Sequence, residues 1–259
     1  MSEREHYDPG LPCWIDLGTP DVDAAAAFYS GLFGWDFEET SPASGDYRMA
    51  VLKGRRVAGL GPAQAEGVPW WTTYFSVNDA SAAAAATEAN GGGVIDPAQD
   101  VAGVGSMAVL ADPEGATFSV WQPGAHFGAG LRDEHGTLGW TELMTRDIET
   151  ARKFYAAVLG WESEDYPMGA FTYTVWNVGE SNAAGGMPMS PEQFPDEVPS
   201  HWMVYFEVDD CDATAVKVAE LGGSIAHPPT DIPQVGRFAV CNGPTGEVFS
   251  IIHAVGPSS

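Results

Sequence analysis

DVDAAAAFYSGLFGW, residues 21–35, and DIETARKFYAAVLGW, residues 147–161, share one pattern. An Asp stands where a helix N-cap is wanted, because its short carboxylate can accept an orphan backbone N–H of the first turn. In the first stretch Ala25, Phe28, Tyr29 and Leu32 follow at helical spacing on one face. Gly34 is placed to stop that helix in a left-handed cap. Each stretch therefore reads as an amphipathic helix, and the helix occurs twice, 126 residues apart.

The repetition extends outward on both sides. Trp14 and Asp16 recur as Trp140 and Glu142 at the same separation. Val77, Asp79, Pro113, Gly115, Phe118 and Ser119 recur 131 residues later as Val208, Asp210, Pro244, Gly246, Phe249 and Ser250. A period this long is a duplicated domain, since solenoid units repeat every 20–50 residues or so. Within each half the pattern doubles again, Asp21 to Asp79 spanning 58 residues and Asp147 to Asp210 spanning 63. The five additional residues belong in the Pro- and acid-rich stretch GMPMSPEQFPDEVPSH, read as a longer surface loop over a site.

Each quarter opens on a strand, CWIDLGT or WTTYFSV in the first half, passes through a helix, and continues into three strand-like pieces. In the first quarter those pieces are DFEET, YRMAVLKG and RVAGL. The fold class is α+β: four βαβββ units paired into two tandem domains, residues 11–124 and 137–255. Residues 125–136 are the linker, Gly-rich and without periodicity, residues 1–10 a polar arm, and the final GPSS a frayed end.

Composition narrows the function classes. The chain has 259 residues, 44% hydrophobic and 18% charged, as expected of a soluble globular protein with two cores. Against 36 acidic residues there are only 11 basic ones, a formal charge of -25. Nucleic acid and anionic membrane both need the opposite sign, and neither is an expected partner. No apolar run reaches the roughly 18 residues of a spanning helix, and the first ten residues lack a signal pattern. Cys13, Cys211 and Cys241 have no metal-type spacing and read as reduced thiols of a cytoplasmic protein.

The wording of both helices, together with ADPEGATFSVWQP at residues 111–123 and NGPTGEVFSIIH at 242–253, resembles the vicinal oxygen chelate superfamily, the glyoxalase/bleomycin-resistance/extradiol-dioxygenase fold. The nearest in style are tandem-domain actinobacterial members labelled hydroxylase or glyoxalase-like. The resemblance implies cup-shaped mixed sheets, a small-molecule partner, and a divalent ion held by His, Glu or Gln in the cup. It places the first ligand slots at Trp14 and Trp140, those of the next units at Thr72 and Met203, and the last-strand Glu at Ser119 and Ser250. The remaining slots fall in residues 57–61 and 183–187, neither of which has a ligand side chain. A catalytic divalent site typically takes about three ligands from His, Asp or Glu. No metal is expected at the standard site in either half, and a displaced divalent ion is the open alternative.

Side chains of a strand alternate, so if Trp14 and Trp140 face the cups, Asp16 and Glu142 do too. Each acid has three readings: a structural carboxylate, a ligand acceptor, or a proton-transfer group. The fifth strand of the first domain turns Trp70, Thr72, Tyr74 and Ser76 the same way, and that of the second turns His201, Met203, Tyr205 and Glu207. His201, Glu142 and Glu207 together suggest a rebuilt acid–base or metal site, while the other histidines, His126 of the linker among them, are set aside. Trp14, Trp70, Trp121 and Trp140 supply aromatic wall. The candidate ligand contacts are thus Trp14, Trp70, Thr72, Tyr74, Ser119, Trp121, Trp140, Met203, Tyr205, Glu207 and Ser250. The candidate catalytic groups are Glu142, Asp16 and His201.

The expected function is metal-free binding of a small aromatic or cationic molecule, in the manner of bleomycin-resistance proteins. The alternatives are a lyase, isomerase or hydroxylase-like enzyme using Glu142, Asp16 and His201, with or without a displaced divalent metal, and a purely structural or regulatory interaction protein. The duplication makes a monomer an internal pseudo-dimer, with a homodimer as the other option.

Overall fold

The computed structural model describes residues 3–38, 46–63, 68–169 and 171–255. The frayed end expected at GPSS, the last two residues of DFEET and the first two of the arm lie outside the described residues.

In the first domain β1 (Pro12–Thr19), α1 (Val22–Phe33), β2 (Asp36–Phe37), β3 (Arg48–Leu52) and β4 (Arg55–Pro62) form one unit. The next comprises β5 (Trp70–Ser76), α2 (Ala80–Ala89), β6 (Gly93–Asp100), β7 (Gly105–Ala111) and β8 (Thr117–Pro123). The second domain repeats the order with β9 (Thr137–Thr145), α3 (Ile148–Leu159), β10 (Glu162–Pro167), β11 (Thr172–Val178) and β12 (Ser181–Pro188). Its last unit is β13 (His201–Glu207), α4 (Cys211–Glu220), β14 (Ser224–Ile232), β15 (Gly236–Asn242) and β16 (Val248–Ala254). The helix caps are the expected ones. Asp21, Asp79, Asp147 and Asp210 each accept the backbone N–H three residues on, and Gly34 and Gly160 close their helices at φ 74° and 72°.

Each domain is one eight-stranded mixed sheet, ordered β2-β3-β4-β1-β5-β8-β7-β6 and β10-β11-β12-β9-β13-β16-β15-β14. The opening strands of the two units pair antiparallel at the centre, which sets Trp14 opposite Tyr74 and Asp16 opposite Thr72. In the second sheet the same register sets Trp140 opposite Tyr205 and Glu142 opposite Met203.

The helix-bearing faces of the two sheets pack on one another, and the cores are shared between domains. One core joins Ile15, Leu17, Phe28 and Tyr29 to Phe206, Val218, Phe249 and Ile251. The other joins Phe75, Ala83 and Phe118 to Phe154, Tyr155, Trp176 and Trp202. Each unit is thus completed by a unit of the other domain, as in an internal dimer.

Two buried carboxylates stitch this seam. Tyr155 donates to Asp112 Oδ2 at 3.1 Å and accepts from the Trp202 indole at 3.0 Å. Tyr29 donates to Glu247 Oε1 at 3.1 Å and accepts from the Trp71 indole at 3.0 Å. The acids are not sequence equivalents. Where the first domain has Asp112, the second has Gly243, and a β-carbon there would lie 1.9 Å from Glu247 Oε1. Glu247, standing where the first domain has Ala116, reaches into the vacated space and takes the tyrosine.

The connecting segments are built in rather than loose. Gly136 and Gly10 accept the indole N–H of Trp35 and Trp161, each at 2.8 Å. Arg132, buried, donates to the carbonyls of Pro12 and Leu138 and so ties the linker to both domains. Tyr7, in the expected polar arm, is also buried and donates to the Ala129 carbonyl at 2.7 Å.

Candidate functional site in the paired cups

The face of each sheet turned away from the shared cores carries the same five-residue cluster. In the first domain the Trp14 indole donates to the Tyr47 hydroxyl at 3.1 Å, and Tyr47 donates to Asp16 Oδ2 at 3.2 Å. Tyr74 donates to the same oxygen at 2.8 Å. In the second domain the Trp140 indole donates to the Tyr173 hydroxyl at 2.9 Å and Tyr205 donates to Glu142 Oε1 at 2.7 Å, with Tyr173 near enough to the Glu142 carboxylate to favour its charged form. Ser119 and Ser250 complete the clusters beside Tyr74 and Tyr205. Both serine side chains are buried, and neither hydroxyl has a hydrogen-bond partner among the described residues.

Tyr47 and Tyr173 were not singled out from sequence, yet the offset of 126 relates them as it relates Trp14 to Trp140. Their positions explain the side-chain-poor slots of β4 and β12. A β-carbon at Gly59 would lie 1.9 Å from the Tyr47 hydroxyl, and one at Gly185 would lie 1.9 Å from the Tyr173 hydroxyl. The glycines make room for a phenol from the neighbouring strand, which lies across the place where the family would carry a ligand side chain.

The electrostatics follow from enclosure. Desolvation lifts the Asp16 carboxyl to about 6, against the opposing hydrogen bonds from Tyr74, Tyr47 and Thr72. The same desolvation raises Glu142, opposed by Tyr173 and Tyr205. All four phenols are held well above their ordinary range, first by burial and then by the adjacent carboxylate, and so stay neutral donors. Each cluster therefore holds one carboxyl group of raised proton affinity beside two neutral phenols.

These donors do not fit the divalent ion that the fold family implies. One carboxylate, two neutral phenols and a serine hydroxyl replace the His, Asp or Glu set such an ion needs. Among the described residues no group of three or more His, Cys, Asp and Glu side chains is placed to hold a metal. The rebuilt site expected from Glu142, His201 and Glu207 does not assemble. Along β13 the Glu142 partner is Met203, His201 pairs with Met144, and Glu207 lies at the far end opposite Thr137. His201 Nδ1 bonds the Pro199 carbonyl at 2.8 Å, while Glu207 accepts from the Ala254 N–H at 3.0 Å.

The two cups differ above this common floor. After β8 the linker turns back over the first cup, and Gly124 and His126 both donate to the Val104 carbonyl. The His126 ring meets Trp14 edge-on at 4.7 Å and Trp121 at 5.7 Å, and its carbonyl accepts the Trp121 indole N–H. With Phe127, Ala129 and Tyr7 it closes an apolar cluster that buries Trp14, Tyr74 and Trp121. Burial lowers the His126 imidazole to about 4. A histidine set aside on sequence grounds is thus the lid of the first cup. In the second cup Trp140 is only half-buried, as are Met203 and Phe238, and Phe238 stacks with His227 at 5.3 Å. No described residue crosses the second cup as His126 crosses the first. Thr72 and Met203, the paired slots between the clusters, are both half-buried, and Trp70 lies with His201 at the domain seam.

Comparisons with known proteins agree with the fold. Residues 137–251 match the Glyoxalase/Bleomycin resistance protein/Dioxygenase superfamily profile, and residues 14–121 match a Glyoxalase-like domain. The "Putative glyoxylase CFP32" of Mycobacterium tuberculosis is 42% identical over 97% of this chain and 98% of its own. The anthracycline biosynthesis protein DauV of a Streptomyces strain is 42% identical over 95% of this chain and 94% of its own. Among solved structures, the Mn(II)-bound glyoxalase of Novosphingobium aromaticivorans superposes with a TM-score of 0.66 at 18% identity, over 98% of this chain and 83% of that one. At that identity the likeness concerns the fold. No helix among the described residues is long and apolar enough to cross a membrane.

Proposed function

This chain belongs to the glyoxalase/bleomycin resistance/dioxygenase superfamily, and on that premise we propose that its second cup binds a flat aromatic molecule bearing a cationic or hydrogen-donating group. The observation that carries the proposal is the unequal covering of two like clusters. Linker and arm bury the Trp14 and Trp121 rings of the first cup, where Asp16 itself is half-buried, while Trp140 of the second stays half-exposed beside a buried Glu142. Glu142 receives the donor group, and Tyr173 and Tyr205 fix the direction of its lone pairs. Trp140 and Phe238 present ring faces to a planar ligand. The buried, unpartnered Ser250 hydroxyl adds a further polar contact. Relatives named for anthracycline biosynthesis support the choice of shape, since anthracyclines are flat polycyclic aromatics.

A second reading makes the same cup catalytic, and the raised Glu142 carboxyl favours it. A carboxylate of raised proton affinity is a better general base than an ordinary one. It can take a proton from an acidic carbon or hydroxyl of the bound molecule and return it elsewhere.

Titration with doxorubicin, flat and cationic, followed by its fluorescence, tests the binding site. One site per chain is expected. Glu142→Gln should weaken binding ten- to a hundredfold, the range for a lost hydrogen bond to a charged group, while Asp16→Asn leaves it unchanged. Equal losses in both variants, or none in Glu142→Gln, would remove Glu142 from the role.

A further inference from the structure

The longer loop of the second domain does overlie a cavity, but not a cup. Where β5 and β13 begin side by side, a space of about 210 Å³ opens at the seam of the two domains. Trp70 and Trp71 form one side and His201, Trp202 and Met203 another, with Val198 and Pro199 of the loop along its border. Among the described residues no Asp, Glu, Lys or Arg lines it.

Its polar groups are few and specific. The indole N–H of Trp71 is spent on Tyr29 and that of Trp202 on Tyr155, both inside the cores. The indole N–H of Trp70 is buried with no acceptor, a condition that costs about as much as a lost hydrogen bond unless something fills it. Facing Trp70 edge-on, with ring centroids 6.0 Å apart, is His201. Its Nδ1 lies 2.8 Å from the Pro199 carbonyl, which can only accept, so Nδ1 carries the proton. In the neutral ring Nε2 is then an acceptor, and burial does lower the His201 pKa. One unspent donor and one acceptor therefore stand together on an apolar, aromatic wall.

We propose that this seam cavity is a second ligand site, separate from the cups, for a neutral monocyclic phenol whose hydroxyl accepts from Trp70 Nε1–H and donates to His201 Nε2. A hydroxyl attached to an aromatic ring has both capacities on one atom. Among the described residues no charged group lines the cavity, which disfavours a carboxylate or an ammonium, since neither would find a counter-charge there after losing water. The size suits one ring: a dry cavity of about 150 Å³ accepts benzene, and a drug-sized ligand needs about 300 Å³ or more. The ring sits among three tryptophans contributed by both domains, so occupancy would also brace the seam.

Phenol and toluene, added to ¹⁵N-labelled full-length protein and followed by the indole N–H signals, test this. Trp70→Phe identifies the Trp70 signal by its disappearance. Phenol is expected to move the Trp70 signal saturably and downfield, and to bind about fivefold more tightly than toluene, the worth of an added hydrogen bond in water. Trp70→Phe and His201→Phe should each erase that preference while retaining the ring contacts. A Trp70 signal unmoved by phenol, equal affinity for toluene in the wild-type protein, or an undiminished phenol preference in either variant would overturn the assignment. Doxorubicin binding at Glu142 should be unaffected by Trp70→Phe.

Discussion

The two cups share a floor and differ in what lies above it. Both have a tryptophan N–H bonded to a tyrosine, a second tyrosine bonded to a carboxylate, and a buried serine beside that second tyrosine; the first copy adds the bond from Tyr47 to Asp16. The floor has therefore kept its residue pattern through duplication, even with Asp16 in one copy and Glu142 in the other. Over the first floor the linker lays His126 and Phe127 against Trp14 and Trp121. Over the second, Trp140 and Phe238 stay half-exposed. A floor with a structural role alone needs no opening. The first copy is thereby tied to the linker, through the Trp121 indole and the His126 carbonyl.

The largest effect that would separate the halves lies beneath the cups, at the seam. Tyr29→Phe takes a donor from Glu247, which is wholly buried and among the described residues keeps the Thr245 hydroxyl at 2.6 Å, and it strands the Trp71 indole. Tyr155→Phe takes the equivalent donor from Asp112, but Asp112 keeps the N–H groups of Glu114 and Ala116 at 3.0 and 2.9 Å. The first change should cost about 3–5 kcal/mol and the second about 2–3 kcal/mol, since a buried charged acceptor is expensive to leave short. In thermal unfolding that is roughly 6–15 °C against 4–9 °C. Equal losses would mean that the carboxylates are interchangeable despite their different chain positions.

Much of this was readable in the chain and some was not. The helices, their Asp caps and the four units follow from local chemistry, and Asp16 and Glu142 follow from alternation along a strand. Tyr47 and Tyr173 escaped because β3 and β11 carry none of the family's signature wording. Pairing every residue at a separation of 126 would have found them, together with Gly59 and Gly185. The exchange of Asp112 and Ala116 for Gly243 and Glu247 was likewise written at a separation of 131, but its meaning needs the space that Gly243 leaves. Nothing local distinguishes His126 from a solvated linker residue. Its burial depends on the chain returning across a cup made of strands far from it in sequence.

A smaller effect tests the lid itself. His126→Ala with Phe127→Ala removes the side chains that close the first cup and should cost about 2–3 kcal/mol, less than a full core aromatic because Phe127 is only half-buried. If the lid is what silences the first cup, doxorubicin stoichiometry rises from one to two per chain. A stoichiometry fixed at one would show that the floors differ in affinity for reasons other than access.

The smallest effect is a change of slope with pH, and it belongs to the first cup. The Asp16 carboxyl, raised to about 6 in the fold from 3.8, holds its proton where the unfolded chain has released it. Between about pH 4 and 6 this group makes the fold lose stability as pH rises. The His126 imidazole, lowered to about 4 from 6.5, stays neutral where the unfolded chain is protonated. Across nearly the same window it makes the fold gain stability as pH rises. The two oppose each other within one cup, and their sum is nearly flat. Asp16→Asn should therefore steepen the loss of stability on acidification from pH 6 to 4 by up to about 1.4 kcal/mol per pH unit, one proton's worth. His126→Phe should shift the slope by a similar amount in the other direction. Chemical unfolding at half-unit pH intervals reads both slopes. If Asp16→Asn left the slope unchanged, the half-buried Asp16 carboxyl would not be a source of it.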